Sequence, residues 1–221
     1  MSIWAIIIKY REGLQQGLLV TLELCLIIWG AGIVGGSLLG VAGAKWKSWI
    51  GVPSRIISFV LSGIPVLVFL FWLHYPLQAE LHVVIPPFYT AAAALSLLNV
   101  VAVADLVRAV LRDFPQQYIV AAQVCGLTHK DIVLRIQLPI VLRQIIPGLL
   151  TLQVNMLQVT IFASLISVDE IFRVTQRINA EIYQPVEVFT ALGVFFLAIC
   201  LPMNGLALWL RMRFTRDVSE N

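Results

Sequence analysis

The chain has 221 residues, 60% of them hydrophobic and only 12% charged, with a mean hydropathy of +0.92 and a formal net charge of +3. A soluble domain carries roughly a quarter charged residues, so this composition excludes a soluble enzyme, a disordered chain and a disulfide-stapled secreted domain. The small, dispersed positive charge is no nucleic-acid footprint, so no nucleic-acid partner is expected.

The charges are unevenly placed. Segments 24–44, 56–79, 81–104, 144–168 and 188–210 contain no Asp, Glu, Lys or Arg. Each matches the roughly 20 apolar residues that cross a bilayer as a helix. None shows the alternation of a membrane β-strand. The sequence therefore predicts an all-α polytopic membrane protein whose five transmembrane helices cover about 18–44, 56–78, 84–111, 140–167 and 188–210, in a single transmembrane domain over 1–221.

In chain order, Lys9, Arg11 and Glu12 precede a first span too long for a signal-peptide core, and no small-residue cleavage site follows it. Residues 10–17 are polar and read as a short interfacial helix. The first span carries Gly32, Gly36 and Gly40 on one helical face, a small-xxx-small spacing that lets another helix approach closely. Glycine is also simply common in membrane helices. Trp46 and Trp49 mark an interface at its end. Pro65 in the second span and Pro147 in the fourth each remove a helix hydrogen bond and are expected to kink their helices. Pro86–Pro87 falls at the start of the third span, where proline is tolerated. Cys25, Cys125 and Cys200 are far apart and form no metal motif.

Lys and Arg set the orientation. With five spans, Lys45, Lys47, Arg55, Arg112, Lys130, Arg135, Arg143, Arg211, Arg213 and Arg216 fall on one side, and only Lys9, Arg11, Arg173 and Arg177 on the other. This predicts an external N-terminus and a cytoplasmic C-terminus.

The long cytoplasmic loop over 112–139 carries most of the information. Residues 118–125 read as a helix, Gly126 as its C-cap, and Thr128 as the cap of a second helix that stops at Leu138-Pro139. A structured helix–glycine–helix loop is a docking element by shape. A passive linker would be Gly/Ser-rich or charged.

Within that loop, Ala121-Ala122, three residues, Gly126, nine residues and then Ile136-x-Leu138-Pro139 resembles the cytoplasmic signature of binding-protein-dependent ABC importer permeases. The likeness to their polar amino-acid branch (histidine, glutamine and arginine type) extends over nearly the whole chain. It includes Gly17-Leu18-x-x-Thr21-Leu22, Gly63-Ile64-Pro65, Asp105-Leu106-Val107-Arg108, Val168-Asp169-Glu170 and Tyr183-Gln184-Pro185. The chain departs from the pattern where Val120 replaces the signature glutamate and where Ser62 and Gln158 replace basic residues.

The resemblance implies the type I importer permease fold in the bacterial cytoplasmic (inner) membrane. It implies that this chain binds no cofactor and is not itself an enzyme; the chain has no phosphate-binding G-x-x-x-x-G-K-[ST] loop. A separate ATP-binding cassette dimer would use ATP and Mg²⁺, engaging Val120, Ala121, Ala122, Gly126, Leu127, Ile136, Leu138 and Pro139. A second permease subunit, identical or not, and an external solute-binding protein complete the implied assembly. The implied function is import of polar amino acids; another small solute such as an opine or osmolyte, or a non-transporting scaffold, is the alternative.

Candidate path residues are few. Asp105 and Arg108 stand at i and i+3 and can pair; they form either a self-satisfied ion pair near the interface or part of a substrate gate. Asn99, Asn155 and Gln158 either line a cavity or bond helix to helix. Asp169, Glu170, Arg173 and Arg177 read as an outer amphipathic segment, which either meets a binding protein or is a solvated face.

Overall fold

The computed structural model describes residues 3–215, so Arg216 lies outside the described residues. The described residues form nine helices: α1 (Ile3–Lys9), α2 (Arg11–Lys45), α3 (Lys47–Ser62), α4 (Val66–Glu80), α5 (Pro87–Arg112), α6 (Gln116–Val124), α7 (His129–Ile166), α8 (Ile171–Ile182) and α9 (Pro185–Thr215). Four of them, α2, α5, α7 and α9, are long and apolar enough to cross a membrane, and α3 with α4 makes a fifth span if the bent pair is counted as one.

Helix α5 is the centre of the bundle. It buries ten residues, mostly Ala and Val. Small side chains let neighbouring backbones come close, which is how helices associate where lipid offers no hydrophobic contrast. On one side α5 meets α2 along a glycine seam. A Cβ on Gly36 would lie 2.6 Å from Val103 Cβ, and one on Gly40 2.7 Å from Val107 Cβ. Only a glycine backbone fits this tightly. A wide, π-type turn over Gly32–Gly36 lies in this seam.

Two clusters fill the rest of the bundle, one joining α5 to α2, α4 and α7, the other joining it to α7. Leu24, Ile28, Leu70, Leu95 and Ile166 fill one half of the bundle. Val103, Val107, Phe114, Val141 and Ile145 fill the other. Helix α9 packs on α7 through Cys200, Val154 and Leu157. Its opposite face leaves Val194, Leu197, Leu201 and Leu208 exposed, the surface a lipid-facing helix presents.

Three local expectations are corrected. Residues 10–17 are not a separate interfacial helix. Gly13 and Gly17 belong to the first turns of α2, where they face Val174 and Ile171 of α8; the short separate helix is α1. The second predicted span is not one kinked helix. Gly63, Ile64 and Pro65 leave the helical path, Pro65 at φ −56° and ψ 133°, and α3 and α4 meet at 97°. Proline disfavours helix at the residue before it, and a glycine two residues upstream adds freedom. Third, no helix stops at Leu138-Pro139. The helix from His129 runs on through a wide turn at Ile132–Gln137 into the fourth span. A proline in the first turn after such a bulge has no helical partner to lose.

Candidate translocation and coupling site

At one end of the bundle Lys45, Lys47, Arg55, Arg108, Arg112, Arg143 and Arg211 gather, because α2 and α5 finish there and α7 begins. The link from α5 to α7 lies at this end. Helix α6 rests its Tyr118 and Ile119 on the Val103–Ile145 cluster and buries Ala122. Its other face leaves Val120 57% and Val124 82% exposed; Ala121 and Cys125 are exposed beside them. Leu138 is also exposed, Leu127, Ile136 and Pro139 half-buried. The helix ends in a full Schellman motif: Gly126 N–H donates to Gln123 O at 3.0 Å and Leu127 N–H to Ala122 O at 3.1 Å. Gly126 has φ +76°, and nothing lies within 4 Å of a Cβ built on it. Backbone conformation alone, not space, requires glycine there. Thr128 Oγ1 then accepts the Asp131 N–H at 3.3 Å and caps α7. The result is an exposed apolar helix held at a fixed angle by a glycine turn.

Arg108 and Asp105 are joined at 2.5 Å. Arg108 is 11% exposed and also donates to Gly51 O at 3.0 Å and Ser54 Oγ at 2.5 Å; Ser58 Oγ donates to Asp105. The pair ties α5 to α3. Ser54 and Ser58 could not be singled out in the sequence, since two serines four apart in an apolar stretch carry no distinctive signal.

The three uncharged polar candidates separate. Asn99 is fully buried, and its Nδ2 donates to Ile28 O and to Gln153 Oε1, both at 2.9 Å. Trp29 Nε1 adds a bond to Gln153 O at 3.1 Å. This network locks α2, α5 and α7 at mid-span, and Gln153, unmarked by the sequence, is its other half. Asn155 and Gln158 are exposed instead, in line with Thr151 along a face of α7 that no other described helix covers. Polar side chains are costly against lipid and face water or protein at such depth.

At the opposite end, α8 packs on the start of α2, where Ile171 N–H donates to Thr21 Oγ1 at 3.1 Å. Asp169, Arg173 and Arg177 form an ion-pair cluster there. Glu170 does not share their exposed face. It is fully buried and caps α8, accepting from Phe172 N–H at 2.9 Å and Arg173 N–H at 2.8 Å. Glu170 lies in the link outside the spans. Burial pushes its carboxyl up to about 7, against the two backbone donors and Arg173, which lower it.

A bundle of membrane-length helices with an uncovered polar face and a protruding apolar helix–glycine turn defines a multi-pass membrane protein. Residues 32–216 match the family described as binding-protein-dependent transport system inner membrane component, and the chain belongs to that family. It is thus a multi-pass inner-membrane component of a transport system, an ABC importer permease. The octopine transport system permease protein OccM of Rhizobium meliloti is 31% identical over 202 residues, 88% of this chain and 81% of that protein. The histidine/lysine/arginine/ornithine transport system permease protein HisQ of Salmonella typhimurium is 26% identical over 219 residues, 93% of this chain and 94% of that one. Among solved structures, an amino acid ABC transporter with histidines aligns with TM-score 0.83 at 22% identity, over 96% of this chain and 99% of that chain.

Proposed function

We propose that the chain is one half of a solute path for polar amino acids, driven by a separate ATPase. The observation that carries this is the uncovered face of α7 on which Thr151, Asn155 and Gln158 lie in line, together with family membership. A second permease subunit would close a water-filled path over these groups, whose hydroxyl and amides can exchange hydrogen bonds with a zwitterion's ammonium and carboxylate. The relatives' names specify octopine, histidine, lysine, arginine, ornithine, glutamine and cystine. The octopine relatives, at 31% identity, favour an opine as the second reading.

The basic end faces the cytoplasm by the positive-inside rule, with the N-terminus outside. There α6 would insert into a cleft of the ATP-binding cassette subunit, Val120, Ala121 and Val124 forming the contact. Closure of the ATPase pair would move α6 and α7 as one body, because Gly126 fixes the angle between them. ATP and Mg²⁺ would be held by that partner, and this chain would hold no cofactor. The exposed ends of α1 and α8 would meet the solute-binding protein.

The test is uptake of labelled amino acids and octopine into proteoliposomes holding the permease with its ATPase and binding protein. Asn155→Leu and Gln158→Leu should cut uptake about tenfold or more while the ATPase still co-purifies. Unchanged uptake in both would end the path assignment.

A further inference from the structure

Beside the Arg108–Asp105 pair, the ends of α2 and α5 and the start of α3 enclose a cleft of about 620 Å³. Lys47, Arg55, Ser58, Asp105, Arg108 and Arg112 contribute to its wall. The charge balance is uneven. Asp105 is neutralised by Arg108, and Arg112 meets Asp113 at 2.9 Å in a surface pair with both side chains about two-thirds exposed. Lys47 and Arg55 are exposed and have no ion-pair partner among the described residues. Four cations against two carboxylates give the cleft a positive field.

The second observation lies on α3 itself. Its polar side, Gly51, Ser54 and Ser58, faces Arg108 and Asp105. Its outer side exposes Val52 (48%), Ile56 (58%) and Phe59 (83%), with Trp49 (87%) at its head. One short helix therefore presents unpaired cations beside an open apolar strip. A small soluble anion would need only the first. An amphiphile uses both, with a phosphate at the cations and acyl chains along the strip.

We propose that this cleft is a binding site for one anionic phospholipid, headgroup phosphate against Lys47 and Arg55 and acyl chains against Val52, Ile56 and Phe59. The inference rests on the orientation given above, which puts the cleft at the cytoplasmic leaflet. The acyl chains of the bound lipid would run along α3 toward its break from α4.

The test uses the whole permease–ATPase complex in a neutral detergent, with native mass spectrometry after addition of phosphatidylglycerol or phosphatidylcholine. The complex should retain phosphatidylglycerol at least tenfold better. Lys47→Gln with Arg55→Gln should cut that retention roughly thirty-fold, the effect of two interfacial cations. Lys45→Gln, whose ammonium sits over Trp46 outside the cleft wall, should leave it unchanged. Equal retention of the two lipids, or undiminished phosphatidylglycerol in the double variant, overturns the site. So does complete displacement by millimolar inorganic phosphate, which would mark a small-anion pocket. Loss of the ATPase from the double variant with lipid retention intact would make the cleft a protein interface and also overturn it. Labelling of Ser48→Cys by an impermeant maleimide from outside sealed cells would sink the orientation alone, leaving the lipid result standing.

Discussion

Replacing Gly36 by alanine tests the α2–α5 seam directly. The added Cβ would sit 2.6 Å from Val103 Cβ and 2.7 Å from Val100 O. Carbon contacts are comfortable at about 3.5 Å or more, so the two helices must separate by close to 1 Å. One of the close atoms is backbone and cannot swing aside. Overpacking of this kind costs about 1–3 kcal/mol. Alanine also gains about 1 kcal/mol of helix propensity over glycine, which partly hides the clash. Gly205→Ala supplies that gain alone, because nothing lies within 4 Å of its Cβ. The difference between the two variants isolates the seam. Thermal unfolding of the purified protein in detergent should place Gly36→Ala below Gly205→Ala by about 1–3 kcal/mol. Gly40→Ala, with contacts of 2.7 and 2.9 Å, should fall beside it. Gly32→Ala should be worst, since its Cβ would lie 2.1 Å from the Asn99 amide that bonds Ile28 and Gln153. Equal stability of Gly36→Ala and Gly205→Ala would refute the close-packed seam.

Other predictions follow the same geometry. Gly126→Val should abolish coupled uptake while Gly126→Asn retains most of it, because Asn tolerates positive φ and no side-chain space is lacking; equal uptake of the two variants would contradict a conformational role. Arg108→Gln should destabilise by about 1–2 kcal/mol, less than the 3–5 of a fully buried pair because Asp105 is 42% exposed, and Asp105→Asn in the same chain should restore part of it; a double variant no better than the single one would refute the pairing. For Glu170 the folded pKa near 7 lies above the ordinary 4.5. The folded state therefore binds the extra proton between those values, and stability falls as pH rises from about 4.5 to 7. Glu170→Gln should flatten that part of the stability–pH curve, as read by unfolding from pH 4.5 to 8; an unchanged slope would show that another group sets it.

Much of this was legible in the sequence because it is local. A charge-free stretch long enough to cross a bilayer is a property of consecutive residues. So is the helix–Gly126–Thr128 loop, whose caps are satisfied within five residues. The glycines at Gly32, Gly36 and Gly40 announce a close approach, though not to which helix. Locality also explains the misreadings. Pro65 marks a break, but not the 97° angle at which α3 and α4 meet. Pro139 looks like a stop until a wide turn carries the helix past it.

What remained hidden depends on contacts across the bundle. Asn99, Asn155 and Gln158 are equivalent as polar residues in apolar helices. Only packing buries Asn99 against Gln153, 54 positions away, and leaves the other two on an open face. Glu170 sits among charged neighbours in sequence, yet it alone of them is fully buried, as the cap of α8. Sequence by itself determined that the chain crosses a membrane several times and carries one structured loop, since bilayer thickness and helix capping act on runs of residues. Tertiary structure decided which polar groups lock the bundle and which are left open for a solute, since burial is set by the neighbours a fold brings together.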